Sequence, residues 1–145
     1  MRKHIALFAL ILLGATSLRA GEGNWLTDFT KAKAEAATRK VPILADFSGS
    51  DWCGWCMKLD REVFTQPEFQ AYAKEHLVLF LADFPSHKPQ TDAVKKQNQM
   101  LAEHYGIQGY PTVLLLDATG KILGRTGYQP DGAAAYVKHL QSLLK

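Results

Sequence analysis

The sequence predicts an α/β fold in which a mixed central β-sheet is flanked by helices on both faces. Three short apolar runs have the length and composition of buried strands, and they cover residues 41–47, 77–82 and 112–116. Helical segments alternate with the first two runs, which favours parallel strands joined by helical crossovers. A turn at 117–120 then predicts a closing hairpin, so antiparallel pairing should complete the sheet.

The helices are predicted from apolar residues that recur at helical spacing. The first helix is expected to follow an Asn24 cap, with Trp25 and Phe29 on its buried face. The other helices are expected to begin at a Ser50 or Asp51 cap before Cys53, at a Thr65–Glu68 capping box, at residue 92 and at Pro130. Residues 77–82 are continuously apolar, which is typical of a central strand covered on both faces.

The first 20 residues are predicted to be a signal peptide rather than part of the fold. A basic start, an unbroken apolar run over 5–13 and small residues up to Ala20 have the order of a secretory leader. Cleavage is expected after Ala20 or after Ser17, and an uncleaved membrane anchor is the alternative. Residues 21–145 should then form a single domain that is large enough to bury its own core.

The charge of the chain argues against some classes of partner. The chain contains 17 Lys and Arg and 14 Asp and Glu, which gives a formal net charge of +3. Arg2, Lys3 and Arg19 account for the whole excess, so residues 21–145 should be near neutral. A near-neutral domain does not favour nucleic acid, and no block of like charge offers a membrane-binding patch.

The segment SDWCGWCMK holds both cysteines of the chain, Cys53 and Cys56. They could form a structural staple, part of a metal site or a redox pair. A staple between such close positions constrains the unfolded chain very little. A zinc site needs about four ligands, and the usual spacing is missing among His76, His87, His104 and His139. A copper site that adds one distant histidine stays open.

The redox interpretation agrees best with the local chemistry. Cys53 would open a helix, where free N–H groups and the helix dipole should lower the pKa of its thiol. Cys56 lies one turn later on the same face, where it can attack a mixed disulfide formed by Cys53. Gly54 leaves room for a second backbone. Trp52 and Trp55 offer an apolar rim for an extended polypeptide, although either could instead fill the core.

The motif WCGWC after a strand, followed by YGIQGYPT before the next strand, resembles the thioredoxin superfamily over residues 25–144. The chain is most similar to exported bacterial thioredoxin-like proteins and to periplasmic thiol:disulfide interchange domains. The resemblance implies the thioredoxin fold and a thiol–disulfide oxidoreductase, more a reductase or isomerase than an oxidase. It implies protein thiol or disulfide substrates, a periplasmic location and a membrane-linked electron donor or acceptor. No cofactor beyond the Cys53–Cys56 disulfide is implied, and a lone domain favours a monomer.

The resemblance also implies roles for individual residues. Cys53 matches the attacking cysteine of the family, and Cys56 matches the resolving cysteine. Pro111 matches the cis-proline that faces the disulfide, and the backbone of Tyr110 beside it would pair with a bound substrate strand. Asp46 resembles the buried acid that exchanges a proton with the resolving cysteine, and burial should raise its pKa. A hydrogen-bonded structural acid is the alternative for Asp46.

The sequence departs from thioredoxin at two points, and both leave the direction of electron flow open. Gly-Trp stands between the cysteines where thioredoxin has Gly-Pro, and one extra residue separates Asp46 from Cys53. Two functions without redox turnover also remain open. One is a module that binds a soft metal such as copper, and the other is a peptide binder that uses the groove beside Pro111.

Overall fold

The computed structural model describes residues 24–145, and the predicted signal peptide at 1–20 lies outside the described residues. The helices are α1 Phe29–Arg39, α2 Gly54–Leu59, α3 Pro67–His76, α4 Asp92–His104 and α5 Gly132–Leu143. The strands are β1 Ile43–Ser48, β2 Val78–Asp83, β3 Thr112–Leu116 and β4 Ile122–Thr126. A π-helical turn, Asp60–Phe64, continues α2. Among the described helices, none has the length and apolar character needed to cross a membrane.

The four strands form one mixed sheet in the order β2-β1-β3-β4. β1 is parallel to β2, whereas β3 is antiparallel to both β1 and β4. These pairings confirm the predicted mixture of a parallel crossover and a closing hairpin. Ser48 at the end of β1 lies opposite Asp83 at the end of β2. The two loops that follow these strands therefore leave the sheet side by side.

The prediction that residues 77–82 form a central strand is wrong, because β2 lies at the edge of the sheet. Its apolar composition has another cause. The segment before α1 runs along the free edge of β2, where the Leu26 N–H donates to the Leu79 carbonyl at 2.9 Å. The Leu81 N–H in turn donates to the Leu26 carbonyl at 2.9 Å. This extra pairing covers the edge, so β2 is buried almost like a central strand.

The first helix begins later than predicted. α1 starts at Phe29 because the Asp28 carboxylate caps it and accepts the Lys31 N–H at 3.1 Å. Asn24 is not the cap, and Trp25 lies outside the helix. The Trp25 ring packs against Phe64 with ring centroids 5.1 Å apart, on the opposite face of the sheet from α1.

The start of α3 was predicted at the right place but for the wrong reason. α3 begins with Pro67 in its first turn, and no side chain caps it. The Thr65 hydroxyl donates instead to the Asp60 carbonyl at 3.0 Å, so the predicted Thr65–Glu68 capping box does not form. The backbone of Thr65 also bonds Asp60, which closes the preceding π-helical turn. α5 begins at Gly132, two residues after Pro130.

Two apolar cores cover the two faces of the sheet, as the predicted α/β fold requires. α2, α3 and α5 cover one face, where Phe64 contacts both Phe69 and Tyr136. α1 and α4 cover the other face, where Phe29 contacts Phe80 with ring centroids 5.1 Å apart. β1 lies between the cores, and all six of its residues are buried.

Replacing Phe80 by Ala should destabilise the fold strongly, because its ring is fully buried in the core under α1 and α4. We expect a loss of about 3–5 kcal/mol in the free energy of unfolding, measured by urea denaturation of the oxidised protein. Met100→Ala on α4 is the control, since Met100 is 59% exposed, and it should cost less than about 0.5 kcal/mol. Equal losses in the two variants would contradict the packing described above.

Candidate active site

Both cysteines lie where the chain passes from β1 into α2, as predicted. They are buried and joined by a disulfide. The Cys53 N–H closes the preceding turn by donating to the Gly49 carbonyl at 2.9 Å. The Cys56 N–H donates to Cys53 Sγ at 3.2 Å, so the sulfur of Cys53 itself caps α2. An N–H group directed at Sγ favours negative charge on this sulfur once the disulfide is reduced.

The predicted Ser50 or Asp51 cap is wrong, because Ser50 bonds the last residue of β2 and Asp51 bonds the loop that follows β2. The N–H and the hydroxyl of Ser50 donate to the two carboxylate oxygens of Asp83, at 2.9 and 2.6 Å. The Asp51 carboxylate accepts the backbone N–H groups of residues 86–88 at 2.7–2.8 Å. The loop that leads into Cys53 is therefore fixed to the neighbouring loop rather than to its own helix.

The motifs WCGWC and YGIQGYPT contact each other through aromatic side chains. The Trp52 indole packs against Gly49, where any side chain would collide with the ring, and its Nε1–H donates to the Phe84 carbonyl at 2.7 Å. The Trp52 and Tyr110 rings pack perpendicular to each other with ring centroids 5.8 Å apart. The Phe84 ring also packs against Tyr110, with ring centroids 5.2 Å apart, and the Tyr110–Pro111 peptide bond is cis. The structure thus brings the residue before Cys53 against the residue before Pro111.

Trp55 belongs to a second exposed aromatic group. Its ring lies 5.1 Å from that of Tyr128, and the Lys58 ammonium lies over both rings. Tyr128 donates its hydroxyl to Glu62 at 2.7 Å. Trp55 is 58% exposed and Trp52 is 46% exposed, so neither fills the core. Apart from its chain neighbours and the backbone of its own helix, no heavy atom lies within 4 Å of where a side chain at Gly54 would begin, so the surface beside Gly54 is open.

Asp46 is a buried carboxyl group on β1, on the face covered by α2. It lines a cleft of about 780 Å³ together with Cys56. Its Oδ1 is buried without a hydrogen-bond partner, which argues against a hydrogen-bonded structural acid. Burial, followed by the negative charges of Asp60 and Asp83, raises the pKa of Asp46 to about 8. A carboxyl group with such a pKa can exchange protons near neutral pH.

The sequence analysis missed three charged residues around this cleft. Asp60 and Lys88 line it, and Asp83 raises the pKa of Asp46 from the end of β2. Partial burial raises the pKa of Asp60, while the charge of Lys88 lowers it. The spacing of four from Cys56 already indicated that Asp60 shares its helical face. Asp83 ends β2 and Lys88 lies in the loop after it, and parallel pairing with β1 predicts that both approach the cysteine loop.

Residues 24–145 contain no group of three or more His, Cys, Asp or Glu side chains placed to hold a metal ion. Three of the histidines make local contacts instead. His76 stacks on Tyr72, the His104 ring meets Tyr105, and His139 bonds the Thr126 hydroxyl at 2.8 Å.

Replacing Asp46 by Asn should change how stability depends on pH. The pKa of Asp46 is about 8 in the folded protein against 3.8 for the ordinary group, so the unfolded chain loses this proton at lower pH. Wild-type stability should therefore fall as the pH rises from about 4 to about 8, and the Asn variant should lack this contribution.

Urea denaturation of both oxidised proteins at pH 5 and pH 7 measures this effect. The difference in free energy of unfolding, variant minus wild type, should grow by up to about 1.4 kcal/mol per pH unit. A difference that does not change with pH would show that Asp46 ionises normally in the folded protein.

Comparisons with known proteins agree with this geometry. "Disulfide bond reductase DsbH" of Chlamydia pneumoniae is 40% identical over 104 residues, which are 72% of this chain and 63% of that protein. "Thioredoxin-related protein DsbJ" of the same organism is 30% identical over 133 residues, covering 86% of this chain and 38% of that protein. This chain therefore matches less than two thirds of the length of either relative.

Structural similarity and a family model lead to the same assignment. A solved structure described as "DsbH Oxidoreductase" has a TM-score of 0.81 and 33% sequence identity, and the match covers 94% of both chains. The model of the thioredoxin-like domain matches residues 29–141, which include β1 to β4 and both cysteines. The chain belongs to the thioredoxin-like family and has the thioredoxin fold.

Proposed function

We propose that this protein is a thiol–disulfide oxidoreductase that exchanges the Cys53–Cys56 disulfide and dithiol with protein substrates. One observation carries the proposal: Cys56, whose partner Cys53 caps α2, shares a cleft with the buried carboxyl group of Asp46, and burial raises the pKa of Asp46 to about 8. Such a pair of groups provides a nucleophile and a proton acceptor for disulfide exchange. Membership of the thioredoxin-like family supports the same activity.

In the first step, the Cys53 thiolate attacks a disulfide of the substrate. A new bond forms between Cys53 Sγ and one substrate sulfur, and the substrate's own S–S bond breaks. The electron pair of that bond leaves with the second substrate sulfur, which then takes up a proton. The Cys56 N–H that points at Cys53 Sγ stabilises the attacking thiolate before the bond forms.

In the second step, Cys56 releases the substrate. Asp46 accepts the proton of the Cys56 thiol, and the resulting thiolate attacks Cys53 Sγ in the mixed disulfide. The Cys53–Cys56 bond forms and the bond from Cys53 to the substrate breaks, so the first substrate sulfur, which had been bound to Cys53, leaves as a thiolate. The substrate gains two electrons and the Cys53–Cys56 pair loses two. Asp46 suits this role because its raised pKa is close to that of a thiol.

An extended polypeptide segment is the form of substrate that this surface accommodates best. The backbone of Tyr110, before the cis bond to Pro111, would pair with the segment as an added strand. The exposed rings of Trp52 and Trp55 would contact its side chains, and the open surface at Gly54 would let its backbone approach.

We favour net reduction or isomerisation of substrate disulfides, in an exported, periplasmic location. The relative named a disulfide bond reductase supports this direction, and the predicted leader at 1–20 supports export. A periplasmic reductase needs a membrane-linked source of electrons, because the cysteine pair must be reduced again after each turnover. We infer that the domain works as a monomer and needs no cofactor besides its disulfide.

Replacing Cys56 by Ser should trap the substrate, because the mixed disulfide on Cys53 then has no thiol to resolve it. We expect a covalent complex when the reduced variant meets a protein that contains an accessible disulfide. Mass spectrometry should show the sum of the two masses, and excess thiol should release the complex. Cys53→Ser is the matched control and should form no complex. Turnover at the wild-type rate by Cys56→Ser would rule out the resolving role.

The same pair of variants separates the proposed function from a binding module. Peptide binding that survives in Cys53→Ser, without disulfide exchange in the wild type, would favour a peptide binder. Stoichiometric copper in the purified wild-type protein, lost in both cysteine variants, would favour a metal carrier.

A further inference from the structure

The loop that leads into Cys53 is held to the loop after β2 by a dense set of hydrogen bonds. Its central member is Asp51, whose single carboxylate accepts three successive N–H groups from residues 86–88. These bonds, the one from Ser86 above all, lower the pKa of Asp51 to about 2, so the carboxylate stays ionised at neutral pH. The backbone of residues 86–88 is thereby fixed beside the cysteine loop.

Lys88 is the last residue of this fixed segment, and its side chain turns back toward the site. Its Nζ donates to the Ser50 Oγ at 3.2 Å, and Ser50 is itself bonded to Asp83. Lys88 lines the same cleft as Asp46 and Cys56. Among the described residues that line this cleft, Lys88 is the only basic one.

Several charged or titratable groups surround the Asp46 carboxyl. They come from five elements: Cys56 from α2, Asp60 from the π-helical turn, Asp83 from β2, Tyr136 from α5 and Lys88 from the loop after β2. The two carboxylates oppose ionisation of Asp46, and Tyr136 is neutral because burial raises the pKa of its phenol well above its usual range. The positive charge of Lys88 lowers the pKa of Asp60 in the same cleft, and a positive charge there opposes the effect of the two carboxylates.

We propose that Asp51 is a positioning residue that, by fixing residues 86–88, holds the Lys88 ammonium at the cleft, where Lys88 favours the ionised form of Asp46. The Asp51 carboxylate forms its hydrogen bonds with residues 86–88 and none with either cysteine, so it acts through Lys88. The inference rests on the proposed function in one respect, namely that ionised Asp46 is the base that takes the proton of Cys56. The Asp51–Lys88 pair then extends resolution of the mixed disulfide to lower pH.

Carbon-13 NMR of the Asp carboxyl groups in the oxidised protein tests this directly, with Asp46→Asn to assign the signal. The disulfide leaves no thiol to titrate. Lys88→Gln should raise the pKa of Asp46 by on the order of half a pH unit, the size expected for one unit charge near a partly solvated cleft. Lys88→Arg should leave it near the wild-type value. Lys95→Gln, on the exposed side of α4, is the matched control and should also leave it unchanged.

The sign of the Asp51→Ala effect separates positioning from simple charge. If Asp51 acted only through its own negative charge, its removal would lower the pKa of Asp46. If Asp51 instead holds the Lys88 ammonium at the cleft, its removal should let that positive charge move away and raise the pKa of Asp46. Asp51→Ala should therefore raise the pKa in the wild-type background and no longer raise it in Lys88→Gln. Asp51→Asn, which keeps the shape but has one acceptor oxygen instead of two, should show a smaller rise and serves if the Ala variant does not fold.

Two results would overturn the inference. An unchanged pKa of Asp46 in Lys88→Gln would show that Lys88 does not act on it. An equal rise on Asp51→Ala with and without Lys88 would show that Asp51 does not act through Lys88. The NMR measurement needs no substrate, so it is independent of the test of disulfide exchange. If the pKa of Asp46 shifts as expected but the protein shows no disulfide exchange, the proposed function is contradicted and this inference stands.

Discussion

The parallel pairing of β1 with β2 is the constraint on which the site depends. It places Ser48 opposite Asp83, so the loop leading into Cys53 and the loop carrying Lys88 leave the sheet at the same edge. Three hydrogen bonds to Asp51 then join the two loops, and two more bonds fix the cysteine loop to Asp83 at the end of β2. Cys53, whose Sγ caps α2, therefore lies in a turn whose position is set by β2.

The same sheet places a carboxyl group where it is costly for folding. Asp46 lies in a strand buried on both faces, and its Oδ1 has no hydrogen-bond partner. Nearby carboxylates add to the effect of burial, so the neutral form is favoured near pH 7. A buried group in this state weakens the fold, and the two apolar cores on either side of β1 offset the cost. Proton exchange next to Cys56 is the activity that this arrangement makes possible.

Local patterns in the sequence predicted the parts of the site that depend on neighbours along the chain. The strand before the cysteines and the helix after them follow from spacing and composition, while the buried position of Asp46 was implied by the resemblance to the thioredoxin superfamily. The roles of Ser50 and Asp51 were wrong because a capping residue and a residue that bonds a distant loop look alike in sequence. The edge position of β2 was missed for a similar reason. Its apolar run reflects coverage by Leu26, which periodicity within the run does not reveal.

The reduction potential of the Cys53–Cys56 couple tests the central claim most directly. The domain is equilibrated with glutathione buffers, and the fraction of disulfide is followed by the fluorescence of Trp52 and Trp55, the neighbours of Cys53 and Cys56. We expect one reversible two-electron transition nearer to about −270 mV, the thioredoxin value, than to about −120 mV, the value of a strong oxidant. A potential near about −120 mV would contradict the assignment as a reductase. The absence of any reversible transition would contradict thiol–disulfide exchange altogether.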